Sequence, residues 1–175
     1  MDATIIHAPS STKNKDNKRD PEMSSTKKGN TWSFGMKAHI SVDAQSGLIH
    51  TVGVSTAKVH DAKVMSSLIR EDDQAVFGDK GYVNEKFKRA ARAGGVYWAV
   101  LEKAKPKKKL SASQNKRNKK HASVRAKVEH AFRIIKCQFG YRKTRYRGIQ
   151  KNGAQLFSLM ALANLYKVRR ELLAT

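Results

Sequence analysis

From Trp32 to Val42 the apolar residues Trp32, Phe34, Met36, Ala38, Ile40 and Val42 alternate with Ser33, Gly35, Lys37, His39 and Ser41. A period of two held this long requires extended backbone, because only a strand sends successive side chains to opposite faces. A strand of this length needs neighbours on its edges and a second layer over its apolar face, so the chain must build a sheet with something packed on it. Gln45-Ser46-Gly47 supplies a turn, and Leu48 to Val54 is rich enough in β-formers to be the return strand of a hairpin.

Around this hairpin the remaining elements follow from local pattern. Asp2 to Ile6 reads as a short strand, and the polar, Lys-rich stretch from Ser10 to Asn30 reads as a flexible loop spanning about residues 8–31. His60 to Ile69 reads as a short helix, with Asp61 placed to cap it. Ala75-Val76-Phe77-Gly78 is a brief apolar run that ends in Asp79, the C-terminal strand end where α/β folds tend to place chemistry. Glu85 to Ala93 reads as a helix stopped by Gly94-Gly95, and Val96 to Leu101 as another strand. Lys103 to Lys120 has no periodic apolar face and reads as a second basic loop, about residues 103–121. From Ser123 to Phe139 the apolar residues Val124, Val128, Phe132, Ile135 and Phe139 step by three or four, a helix that Gly140 ends. Asn152 to Leu173 forms a last helix whose stripe of Leu156, Leu159, Met160, Ala163 and Tyr166 is core. The alternation of strands and helices predicts one α/β domain over residues 1–175.

Charge then narrows the partner. Lys and Arg number 36 against 14 Asp and Glu, a net charge of +22. Between Lys103 and Arg170 there are 21 basic residues, and Glu129 is the only acid. A field of this sign favours a polyanion. Tyr141 and Tyr146, interleaved with Arg142, Lys143, Arg145 and Arg147, are the aromatic and cationic mixture that meets a nucleic acid backbone, although a solvated strand would look similar. The lone Cys137 excludes an internal disulfide, no Cys/His cluster has zinc spacing, and no apolar run reaches the roughly 20 residues that span a bilayer. Any metal must therefore be held by carboxylates, and the expected location is cytoplasmic.

Asp2 and Asp79 at strand ends and Glu129 on a helix form such a set. Arg125, Glu129, Arg133 and Lys136 fall on one helical stripe at i−4, i, i+4 and i+7. Hard divalent cations prefer oxygen ligands, and two of them roughly 4 Å apart serve phosphoryl transfer without a histidine base. Taken singly, Asp79 is equally a loop cap, and Arg125 with Glu129 an ordinary helical ion pair.

Three stretches together make the chain resemble the catalytic domain of bacterial insertion-sequence transposases of the DDE type, in the group like insertion sequences four and five. Asp2-Ala3-Thr4-Ile5-Ile6 is similar to the family's first strand, and Asp79-Lys80-Gly81-Tyr82 matches its Asp-x-Gly-Tyr/Phe motif. Arg125, Glu129 and Lys136 match its Arg-x3-Glu-x6-Lys signature, while Ala122 stands where the family has a tyrosine. Phe139-Gly140-Tyr141 and Arg145-Tyr146-Arg147-Gly148 are similar to its C-terminal part. The resemblance implies a ribonuclease-H-like mixed five-stranded sheet flanked by helices. It implies Asp2, Asp79 and Glu129 as catalytic ligands of two Mg²⁺ or Mn²⁺ ions, Lys136 as a DNA contact, and cleavage and strand transfer at element ends. Arg125, Arg142, Lys143, Arg145 and Arg147 are the further expected DNA contacts.

Because the first ligand falls at residue 2, the chain is expected to be the C-terminal portion of a longer transposase, with an upstream half and an oligomer on DNA in the bacterial nucleoid. Two other readings stay open. One is a non-catalytic basic protein that binds DNA or RNA through Lys103 to Arg147, and the other a ribonuclease-H-like nuclease of structured nucleic acid.

Overall fold

The computed structural model describes residues 1–174 and is built around the strand the alternation required. Strand β3, Thr31–Val42, has partners on both edges. β1, Asp2–His7, runs antiparallel along one edge, pairing Asp2 with Ile40 and His7 with Gly35. Along the other edge β4, Ile49–Thr56, pairs with Met36 to Val42, and β2, Ser24–Lys28, pairs with Thr31 to Gly35. Gly35 is therefore enclosed on both sides. A Cβ there would lie 2.1 Å from the Ile6 carbonyl oxygen, and φ is +157°. Only glycine lets β1 approach so closely.

Past β4 come α1, Asp61–Val64, with a 3-10 turn over Met65–Ser67, and then β5, Ala75–Gly78. α2, Glu85–Ala93, leads to β6, Tyr97–Val100, which pairs in parallel with β5. Three helical segments follow: α3, Ala112–Arg125; α4, Lys127–Arg133, continued by a π-turn over Ile134–Gln138; and α5, Ile149–Leu172. No helix among the described residues is long and apolar enough to cross a membrane.

Alternation in β3 divides the interior in two. Met36, Ala38 and Ile40 face a core shared with Ile6, Val128, Phe132, Ile135, Leu156 and Met160, so α4 and α5 cover this side. A second core joins Met65, Leu68, Val76, Tyr82 and Val100. Ser41, on the face opposite Ile40, donates to the Leu68 carbonyl at 2.7 Å and ties β3 to that second core.

Four expectations need correction. The strands do not form one five-stranded sheet: they form a four-stranded antiparallel sheet and a separate two-stranded β5–β6 pair. A hydrogen bond between them runs from the Met1 ammonium to the Phe77 carbonyl, 2.7 Å. The 8–31 segment is not all loop, since β2 lies within it. Gly29, with φ of +60°, opens the two-residue turn that folds β2 back on β3.

The 103–121 segment is likewise half helix, and the helix expected over Ser123 to Phe139 starts at Ala112 and breaks at Ala126. A capping box begins α3: Ser111 Oγ accepts from the Gln114 amide at 3.2 Å, and Gln114 Oε1 accepts from the Ser111 amide at 2.8 Å. Polar contacts dock it, as Asn118 bonds the Glu102 backbone at 2.8 and 3.0 Å and Arg117 Nη2 reaches Glu102 Oε1 at 2.8 Å. A helix held this way needs no apolar stripe, so it leaves no period to read.

His39 is fully buried on the second face of β3, with Nε2 2.8 Å from Ser55 Oγ and Nδ1 without a partner. Burial lowers its pKa to about 4, against an opposing pull from the Asp61 carboxylate. Between its unfolded value near 6.5 and about 4 the unfolded chain binds the extra proton, so stability is lost as pH falls through that window. The loss is on the order of 3 kcal/mol by pH 4. Chemical denaturation from pH 7 to pH 4 should therefore show a shallower stability slope for His39→Gln than for the wild type.

Candidate active site

Asp2 opens β1, Asp79 follows β5 as the cap of the 3-10 turn Lys80–Tyr82, and Glu129 lies in the first turn of α4. Arg125, the last residue of α3, stands between two of these acids. Its Nη1 donates to Asp2 Oδ2 at 2.7 Å and its Nη2 to Glu129 Oε1 at 2.6 Å. One guanidinium thereby ties the sheet to the helix across 123 residues of sequence. The fork geometry of arginine makes this possible, since each nitrogen serves a different carboxylate. Arg125 Nε is buried and has no partner.

The charge balance around Asp2 is strained. Burial pushes its carboxyl above the usual range, and the nearby Asp79 carboxylate pushes the same way, while the Ala3 amide and Arg125 pull it down. Burial also lowers the Met1 ammonium to about 6. Tyr82 is 1% exposed and its hydroxyl has no partner. Burial raises its pKa, and the Asp61, Asp2 and Asp79 carboxylates raise it further. Acidic charge thus gathers from both layers at the place where β1 and β5 meet. Among the described residues, however, no three of His, Cys, Asp and Glu stand close enough to share an ion. The structure pairs Asp2 with Glu129 through Arg125 and leaves Asp79 beside them.

Asp61 behaves differently from the cap expected of it. His60 is the cap, its Nδ1 accepting from the Ala62 amide at 3.3 Å. Asp61 instead pairs with Lys37 on β3, Nζ to Oδ1 2.9 Å, and lies under the Asp79 turn, 3.5 Å from where a Cβ on Gly81 would stand. Nothing in the residue pattern joined Lys37 to Asp61, because the contact exists only once α1 covers β3.

The expected DNA-contacting cations divide into two groups. Lys136, on the π-turn, is half-buried and donates to Thr4 Oγ1 on β1 at 2.7 Å; burial lowers its pKa, with Arg142 acting in the same sense. It is directed at the sheet two residues from Asp2. Arg142, Lys143, Arg145 and Arg147 lie on the loop before α5. Arg142 Nε donates to the Lys136 carbonyl at 2.9 Å, and Arg147 pairs with Asp16. Asn152, fully buried, fixes this loop: it accepts from the Arg145 and Tyr146 amides at 3.1 Å and donates to the Tyr146 and Gly148 carbonyls at 2.7 Å. Asp20 and Glu22 accept from the Gly148 and Ile149 amides at the start of α5, where anionic caps are favoured. Ala122 occupies the turn before Ala126, whose amide bonds its carbonyl at 2.9 Å.

Removing Arg125 leaves Asp2 half-buried without its partner. Arg125→Met should cost about 1–3 kcal/mol in unfolding experiments without divalent ions. Millimolar Mn²⁺ should recover part of that loss if the acids bind it, and an equal loss with and without Mn²⁺ would show that they do not.

No solved structure matches this chain. The family model described as the transposase DDE domain, by contrast, matches residues 1–165, and so spans β1, β5 and α4 with their three acids. The chain accordingly belongs to the transposase DDE domain family, whose members act in DNA transposition.

Proposed function

We propose that this domain cuts DNA at the ends of an insertion sequence and joins the freed strand to target DNA, with Asp2, Asp79 and Glu129 holding two Mg²⁺ or Mn²⁺ ions. The observation that carries the reading is the guanidinium of Arg125 bridging the carboxylates of Asp2 and Glu129. A cation there balances two acids from distant elements, and the carboxyl of Asp2, raised chiefly by burial and further by Asp79, is one whose charged form a bound cation would favour. The donor set, three carboxylates and no sulfur or imidazole, suits a hard divalent ion. Bound there, a pair of such ions would activate the attacking oxygen and stabilise the leaving one.

The chain's own residues supply the rest. In the first step a water oxygen bonds to the scissile phosphorus, the bond to the 3′ oxygen breaks, and a 3′-hydroxyl and a 5′-phosphate remain. In the second the oxygen of that hydroxyl bonds to a target phosphorus, the bond from that phosphorus to the target's own 3′ oxygen breaks, and the proton given up by the attacking hydroxyl is balanced by one taken up by the leaving oxygen as a new 3′-hydroxyl. Arg125 turns from the carboxylates to the DNA phosphate, leaving the acids to the ions. Lys136, anchored beside β1, and the cations of the 142–147 loop hold the backbone in register. Two element ends require two such sites, so the working form is an oligomer on DNA.

A second reading, a basic nucleic-acid-binding protein without catalysis, is favoured by one fact: Arg125 already neutralises two of the acids and no three gather. Glu129→Gln separates the two. Under the catalytic reading, Mg²⁺-dependent nicking of a DNA bearing the element end falls at least about a thousandfold while DNA affinity holds or rises. A wild-type chain that binds such DNA but never nicks it, with Glu129→Gln indistinguishable, leaves only the binding reading.

A further inference from the structure

A cavity lies away from the three acids. It is a groove of about 940 Å³ between β6, the 103–111 segment and α3. Seven Lys and Arg and two Glu line it. Glu85 and Glu102 are taken by Lys88 at 3.6 Å and Arg117 at 2.8 Å. Arg92, Lys103, Lys105, Lys108 and Lys109 are left without an acidic partner among the described residues. Such a lining attracts a phosphate backbone.

Tyr97 forms one wall. It is 56% exposed, yet its ring is held: the hydroxyl lies 3.0 Å from His121 Nε2, and edge-to-face contacts run to His121 at 5.9 Å and Phe77 at 6.4 Å. His121 is itself 7% exposed, lines the groove, and has no partner for Nδ1. An exposed aromatic ring already immobilised loses little freedom when another ring stacks on it. The bases of a duplex are stacked on one another, so a base free to cover such a ring is unpaired.

The groove also points somewhere. Gln114, Arg117 and His121 line it, and with Arg125 they are spaced three, four and four residues apart on α3, so one helix face carries all of them. Gln114 and Arg125 are separated by about 16 Å along the axis. The face that borders the groove at one end delivers Arg125 to Asp2 and Glu129 at the other.

We infer that this groove binds unpaired nucleotides of the DNA strand adjoining the scissile phosphate, stacking a base on Tyr97 and pairing the backbone with the cations of the 103–109 segment. The inference rests on the proposed function only for its choice of DNA as the partner. It adds a preference for frayed or single-stranded ends that the carboxylates alone do not provide.

Fluorescence anisotropy without divalent ions tests it, using the full chain, a mixed-sequence single strand carrying one 2-aminopurine, and the same sequence as a duplex. The wild type should bind the single strand and change the 2-aminopurine emission. Tyr97→Leu should weaken single-strand binding between about five- and a hundredfold, with the duplex changed less than twofold. If Tyr97→Leu loses its wild-type circular dichroism, the Lys103→Ala/Lys105→Ala double variant decides, by lowering the salt slope for the single strand by up to about two charges. The inference is overturned if both variants bind the single strand as the wild type does, or if they lose duplex and single strand alike. A wild type that binds the duplex but no single strand overturns it while leaving the proposed function intact, and one that binds neither overturns both.

Discussion

The pairing of Arg125 with Asp2 and Glu129 is the contact on which the arrangement of the acids depends. It joins the first strand to the helix that carries the third acid, and α3 gives way to α4 at Ala126, immediately after it. Burial disfavours an isolated carboxylate at Asp2, and the neighbouring Asp79 adds to the strain. The Arg125 guanidinium offsets that cost, and the Met1 ammonium acts in the same sense. The same geometry makes the arginine easy to displace. Its partner Glu129 has a side chain 59% exposed, so one of the two bonds is open to water and worth little by itself.

Around that contact the protein places polar groups where most folds place apolar ones. The second face of β3 buries His39 and Ser41 and half-buries Lys37, each with a partner on another element. The Lys37–Asp61 pair holds α1 over the sheet, and α1 carries Asp61 under the turn of Asp79. On the opposite face the packing of Met36, Ala38 and Ile40 against Val128, Phe132 and Ile135 holds α4. One face of the sheet therefore seats the helix of Glu129 and the other supports the loop of Asp79, with β1 and Asp2 between them.

How much of this the residues announced depends on the kind of force that made each element. Strand β3 and helix α5 are organised by burial, and their periods could be read directly from Trp32 to Val42 and from Leu156, Met160 and Ala163. Strand β2 is polar on both faces and is defined by pairing with β3, so only the Gly29-Asn30 turn hinted at it. Helix α3 is docked by Glu102, Asn118 and the Ser111 cap, contacts that have no period. The single five-stranded sheet was implied by the family resemblance, and whether β1 and β5 join depends on long-range pairing that the local pattern of neither strand records. At the site, Asp2, Asp79 and Glu129 were identified by motif, whereas the Lys37–Asp61 pair, the Asn152 clasp and the Tyr97–His121 wall arise from residues far apart in sequence. No spacing rule links them.

Iron-directed cleavage of the protein would show whether Asp2, Asp79 and Glu129 hold a metal together. Fe²⁺ replaces Mg²⁺ at oxygen sites, and with ascorbate and peroxide it cuts the backbone next to its ligands. A shared site predicts cuts confined to the segments around Asp2, Asp79 and Glu129, suppressed by excess Mg²⁺. Cuts elsewhere, or none at those three segments while the chain remains folded, would contradict it.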